Sequence, residues 1–129
     1  MKNQVLSIEQ MQKLKELGVD INKASMCYIS KYPSCDFDDG DSIVVVSKDF
    51  NKRLYNEFGP AFTLQDIVEL LPYTFDNFYL KIYRGINMYY FIYESINSED
   101  DIIEKGNTPL LAAYNMLIWV IENGYLKTK

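Results

Sequence analysis

Phe78-Tyr79-Leu80-Lys81-Ile82-Tyr83-Arg84-Gly85-Ile86-Asn87-Met88-Tyr89-Tyr90-Phe91-Ile92-Tyr93 reads as two strands joined by a short turn. Its aromatic and β-branched residues suit a pleated surface, and Gly85 sits in a connection too short for anything but an antiparallel return. Strands are therefore expected near residues 78–84 and 88–94. Their register stays open, because a one-residue change in the turn decides which rings share a face. Phe78, Leu80 and Ile82 side either with Tyr90 and Ile92 or with Tyr89 and Phe91. A second hairpin is expected upstream, from residues 26–30 and 42–47, with Pro33 and Asp39-Gly40 favouring a reversal between them. The two hairpins predict an antiparallel sheet of about four strands, packed with helices mainly on one side, and hence an α+β class.

Helical segments surround these strands. Ser7 with Gln10 makes a capping box, Leu6 can staple on Met11, and Gly18 is placed to end the first helix. Thr63 and Asp66 form a second box, and Pro72 stops the helix after Leu71. Phe50, Leu54 and Phe58, four apart before Gly59-Pro60, predict a short helix within residues 49–58. Residues 98–104 read as a capped turn of helix or otherwise an acidic connector. The last helix is the best bounded, with Thr108 as cap, Pro109 in the first turn and Gly124 at its end. Leu110, Tyr114, Leu117 and Ile121 form its apolar stripe, which Leu111, Ala113, Met116, Ile118 and Val120 widen. A helix so apolar must be covered on more than one side. The other helices can supply that cover, which favours a monomer over a homodimer.

With 129 residues the chain fits one domain, residues 1–129, and no repeat or linker divides it. Aromatic residues make up 15%, so rings should dominate the core or an interface. The net charge of −5 disfavours nucleic acid and anionic membrane surfaces as partners. No apolar run approaches the length of a membrane span and the N-terminal residues lack a secretory pattern, so a cytoplasmic location is expected. There Cys27 and Cys35, eight apart, should remain reduced.

The absence of histidine removes the usual base for a serine or cysteine nucleophile and the commonest transition-metal ligand. No phosphate-cradling glycine loop or nucleophile elbow is present, and two cysteines cannot supply four thiolates to zinc. The acidic stretch Asp36-Phe37-Asp38-Asp39-Gly40-Asp41 resembles a calcium loop in composition only. Its glycine falls one position early, and Ser47 stands where a bidentate Glu belongs. No catalytic, cofactor-binding or metal-ligating residue is therefore assigned. The remaining candidate is a surface on the aromatic hairpin, formed by Tyr79, Tyr83, Tyr89, Phe91 and Tyr93. Rings on strands can stack bases, but only Lys81 and Arg84 accompany these, too few for a nucleic-acid platform. The simpler expectation is that one face packs on helices while the other is exposed or meets a partner.

Three stretches carry a resemblance: Lys23-Ala24-Ser25-Met26-Cys27-Tyr28; Pro60-Ala61-Phe62-Thr63-Leu64-Gln65-Asp66-Ile67; and the helix from Ala112 to Tyr125. In that order they resemble a group of small uncharacterised proteins carried in the chromosomes and prophage-like elements of gut anaerobes. The last also resembles, more loosely, the final helix of small phage domains that sandwich an antiparallel sheet between helices. The resemblance implies a mobile-element context and no activity. Together with the acidic surface and the missing catalytic groups, it implies a non-catalytic protein that binds or modulates a protein partner. The alternative is a small-ligand binder or enzyme that uses Asp, Glu and Tyr groups in an aromatic pocket.

Overall fold

A computed structural model describes residues 4–31, 43–49, 55–97 and 100–126. It is an α+β structure with three helices and two antiparallel sheets. By contact density the chain divides into two compact units, residues 1–66 and 67–129.

In the first unit, helix α1 (Ile8–Glu16) opens on the expected capping box. The Gln10 N–H donates to the Ser7 hydroxyl, and the Ser7 N–H donates to the Gln10 side chain. Met11 and Leu14 turn inward from it. Strands β1 (Met26–Lys31), β2 (Ile43–Ser47) and β3 (Tyr55–Ala61) form a sheet in the order β2-β1-β3. The expected hairpin is its β1–β2 pair, with Tyr28 opposite Val45. Central β1 is buried at Cys27, Tyr28 and Ile29 in succession, as a strand covered on both faces must be.

Strand β3 corrects the helix expected within residues 49–58: described residues 55–58 are extended, and 50–54 lie outside the described residues. The four-residue spacing of Phe50, Leu54 and Phe58 misled because Gly59-Pro60 lies inside a strand instead of ending a helix. Gly59 takes φ +130° where the pairing slips between Tyr28 and Ile29, leaving Phe58 as the extra residue of a bulge. Pro60 is tolerated because β3 is an edge strand. The Pro33 and Asp39-Gly40 reversal, the acidic stretch 36–41, Cys35 and Ser42 all fall outside the described residues; Cys27 is buried.

Helix α2 (Leu64–Leu70) begins on the second capping box, with Asp66 N–H on the Thr63 hydroxyl and Thr63 N–H on the Asp66 carboxylate. That carboxylate also accepts the N–H and hydroxyl of Ser25, tying the start of α2 to the residue before β1.

The second unit is a meander of β4 (Thr74–Phe75), β5 (Phe78–Arg84), β6 (Tyr89–Ser95) and β7 (Ile102–Gly106), followed by helix α3 (Pro109–Glu122). Strand β7 replaces the helical turn or connector expected over residues 98–104, of which 98 and 99 lie outside the described residues. Ile102 and Ile103 outweigh the neighbouring acids because β6 offers them a paired, half-covered position.

Helix α3 packs on β6 and β7. Ala112, Ala113, Met116, Leu117 and Val120 are buried, whereas Leu110, Tyr114 and Ile121 are half-buried, so the stripe's centre lies slightly round the helix from its expected line. Two glycines make this packing possible. At Gly106 a Cβ would stand 2.6 Å from the Ala112 nitrogen, so only glycine lets the first turn of α3 approach the end of β7. Gly124, at φ +79°, closes the helix by donating to Ile121 while Tyr125 donates to the Val120 carbonyl. Tyr125 is thereby delivered onto Phe75, with ring centroids 4.1 Å apart, and stacks beside Trp119.

Candidate interaction surface

Register assigns each ring of the hairpin to a face. Leu80 stands opposite Tyr93, Ile82 opposite Phe91 and Arg84 opposite Tyr89, so the even residues of β5 share a face with the odd residues of β6. Glu104 and Ile102 of β7 continue that face. It is the face under α3, and Phe91 and Tyr93 are completely buried in it. Burying such a ring stabilises by about 1.5–3 kcal/mol, which commits both residues to the core. The Tyr93 hydroxyl donates to the Pro72 carbonyl at 2.7 Å, and burial pushes its pKa up strongly. Burial likewise raises the carboxyl of Glu104, at the margin of this face.

The opposite face presents Tyr79, Lys81 and Tyr83 from β5, Tyr90, Ile92 and Glu94 from β6, and Ile103 and Lys105 from β7. Tyr83 and Ile103 keep 58% and 52% of their surface exposed, so this side of the sheet is open. Its rings are ordered nonetheless. Tyr83 and Tyr90 touch, with centroids 5.8 Å apart. Lys81 Nζ lies 2.9 Å from Glu94 Oε2, and Tyr79 also hydrogen-bonds Glu94. The hydrogen bond and charge of Lys81 hold the Glu94 carboxyl below its ordinary range, and Glu94 in turn raises the lysine.

The five candidate residues are therefore not one surface. Tyr79 and Tyr83 lie on the open face; Phe91 and Tyr93 lie in the core; Tyr89 is half-buried on the helix side, with the Arg84 guanidinium 5.7 Å from its ring centre. The structure brings Tyr90, Ile92 and Ile103 to Tyr79 and Tyr83 instead. Tyr90 and Ile92 followed from the alternation once the register was known. Ile103 was hidden because its segment carried capping and acidic residues that masked a strand.

A groove of about 180 Å³ lies in the first unit, lined by Ile8, Met11, Gln12, Lys15, Tyr28 and Phe58 among others. The Tyr28 hydroxyl is committed to the Leu6 carbonyl at 2.6 Å, and no carboxylate lines the groove. Among the described residues no three His, Cys, Asp or Glu side chains gather closely enough to hold a metal ion, and no helix is long and apolar enough to cross a membrane. No protein-family model, curated protein or solved structure matches the chain.

Proposed function

We infer that the protein is a non-catalytic interaction module, whose partner protein docks on the open face of the four-stranded sheet. The observation that carries this is the set Tyr79, Tyr83, Tyr90, Ile92 and Ile103 on the face away from α3, with Tyr83 and Ile103 exposed and the other three half-buried, framed by Lys81, Glu94 and Lys105. An exposed apolar patch with a charged frame suits partner binding, in which rings provide buried area and the frame provides orientation. A cytoplasmic, mobile-element context agrees with the sequence resemblance and the acidic charge. The test is a photo-crosslinking residue placed at Tyr83, at Ile103 and, as a control on the other unit, at Gln12, each in the native cell. The expected result is one protein crosslinked from the first two positions and lost in Ile92→Glu; equal labelling from all three would overturn the reading.

The groove between α1 and β3 favours a second reading, as a binder of a small apolar ligand bearing an acidic group that Lys15 would meet. A rise in melting temperature with short-chain or aromatic carboxylates, abolished by Lys15→Ala, would support it. No shift with any of them would remove it.

A further inference from the structure

Strand β5 has seven residues, but β4 pairs only with Phe78 and Tyr79 on its outer side. The alternation of its backbone groups is fixed at both ends. Leu80 N–H points outward, donating to the Tyr73 carbonyl at 2.9 Å, and Gly85 N–H points inward, donating to Met88 at 2.7 Å. Antiparallel alternation then turns the N–H and C=O groups of Ile82 and Arg84 outward, where no described strand meets them. Such an edge is normally guarded by charge. Here both nearby cations are drawn back over β6, Lys81 to Glu94 and Arg84 to the ring of Tyr89. What remains at the edge is Ile82 and Tyr83, 55% and 58% exposed.

We propose that β5 pairs antiparallel with β5 of a second copy of this chain, about a two-fold axis at Tyr83. This register uses the outward groups of Ile82 and Arg84 on both copies. Each Ile82 faces the other copy's Arg84 and exchanges two backbone hydrogen bonds with it, and the two Tyr83 rings meet on the open face. An axis at Ile82 would instead demand the Leu80 N–H, which Tyr73 already holds. The register also brings the turn at Ile86, 96% exposed, to the Tyr73 end of the other copy's β4, where Tyr73 is 75% exposed. Two otherwise unexplained exposed apolar side chains thereby find each other. The pairing joins two four-stranded sheets into one of eight, and the two Tyr83 rings then meet within the face proposed above for a partner protein.

Sedimentation equilibrium of the full chain, from about 1 µM to about 0.5 mM, tests the pairing, since a small edge interface belongs to the weak range. The mass should climb from 15.1 kDa toward twice that value with concentration. Ile82→Pro removes only an outward N–H and leaves the β5–β6 ladder intact, so it should fold with unchanged circular dichroism and remain monomeric. In a chain carrying Cys35→Ser, Tyr83→Cys should oxidise to a disulfide-linked dimer, because facing non-hydrogen-bonded residues place their Cα atoms about 4.5 Å apart. Lys105→Cys should not. A parent that stays at 15.1 kDa throughout, a dimer that survives in folded Ile82→Pro, or Tyr83→Cys crosslinking no faster than Lys105→Cys would each overturn the proposal.

Discussion

Two partly buried carboxylates are shifted in opposite directions, and their surroundings explain why. Burial alone would raise Asp66, but hydrogen bonds from the Thr63 and Ser25 backbone and hydroxyls outweigh it and hold the carboxyl below its usual range. A depressed folded pKa contributes stability that is present above the unfolded value and is lost as pH falls through the folded one. Asp66→Asn should therefore destabilise at neutral pH, by about 0.5–2 kcal/mol as for a lost cap, and should flatten the acid limb of the stability curve. At Glu104 burial is the cause, and it raises the carboxyl. Its ionised form is a penalty at neutral pH that is relieved as pH falls through the raised value. Glu104→Gln should leave stability at pH 7 equal or higher and remove the gain that the parent shows as pH falls through the raised value toward the ordinary carboxylate range. Urea titrations at stepped pH check both residues, and parallel curves for Glu104→Gln and parent would refute the second expectation.

At the scale of elements, α3 is held by its fit as much as by its apolar content. Leu117 is completely buried, so Leu117→Ala should cost about 2–5 kcal/mol through lost burial and an unfilled cavity. Gly106→Ala adds a single methyl, yet it would meet the Ala112 backbone nitrogen and the Leu111 side chain, neither of which can move without lifting the first turn of α3. A cost of about 1–3 kcal/mol is expected from that overpacking. Denaturant midpoints measure both, and a Gly106→Ala protein as stable as the parent would show that α3 does not sit down on β7 as described. Trp119 reports on the same packing, since it stacks with Tyr125 after the Gly124 turn. Its fluorescence should change in Tyr125→Ala even though the helix persists.

At the scale of the whole molecule, each compact unit holds little more than 60 residues, a size that is marginal alone. The division runs through α2, whose first turn belongs to one unit and whose remainder to the other. Splitting a seven-residue helix leaves neither part able to form by itself. The two units should consequently unfold in one transition. Trp119 fluorescence, which reads the second unit, and amide exchange at Cys27 and Ile29 in the first should give one midpoint in denaturant. Two separated midpoints would show independent units.

The sequence by itself determined the class and the ends of the main helices, because caps, terminating glycines and the alternation of β-branched and aromatic residues are local signals. Ser7, Thr63, Thr108 and Gly124 each act through groups within five residues, and both expected hairpins are present as β1–β2 and β5–β6. The division of strands between two sheets was not local. Residues 55–61 and 102–106 became strands only because β1 and β6 offered them partners, overriding a four-residue apolar spacing in one case and acidic composition in the other. The candidate surface was legible as a composition but not as a place. Five aromatic positions could be named, yet register alone sent Phe91 and Tyr93 under α3 and left Tyr79 and Tyr83 outside beside Tyr90, Ile92 and Ile103. Strand side chains alternate with a period of two, so a one-residue shift exchanges core for surface, and that shift is fixed by the turn and by the helix that covers one face.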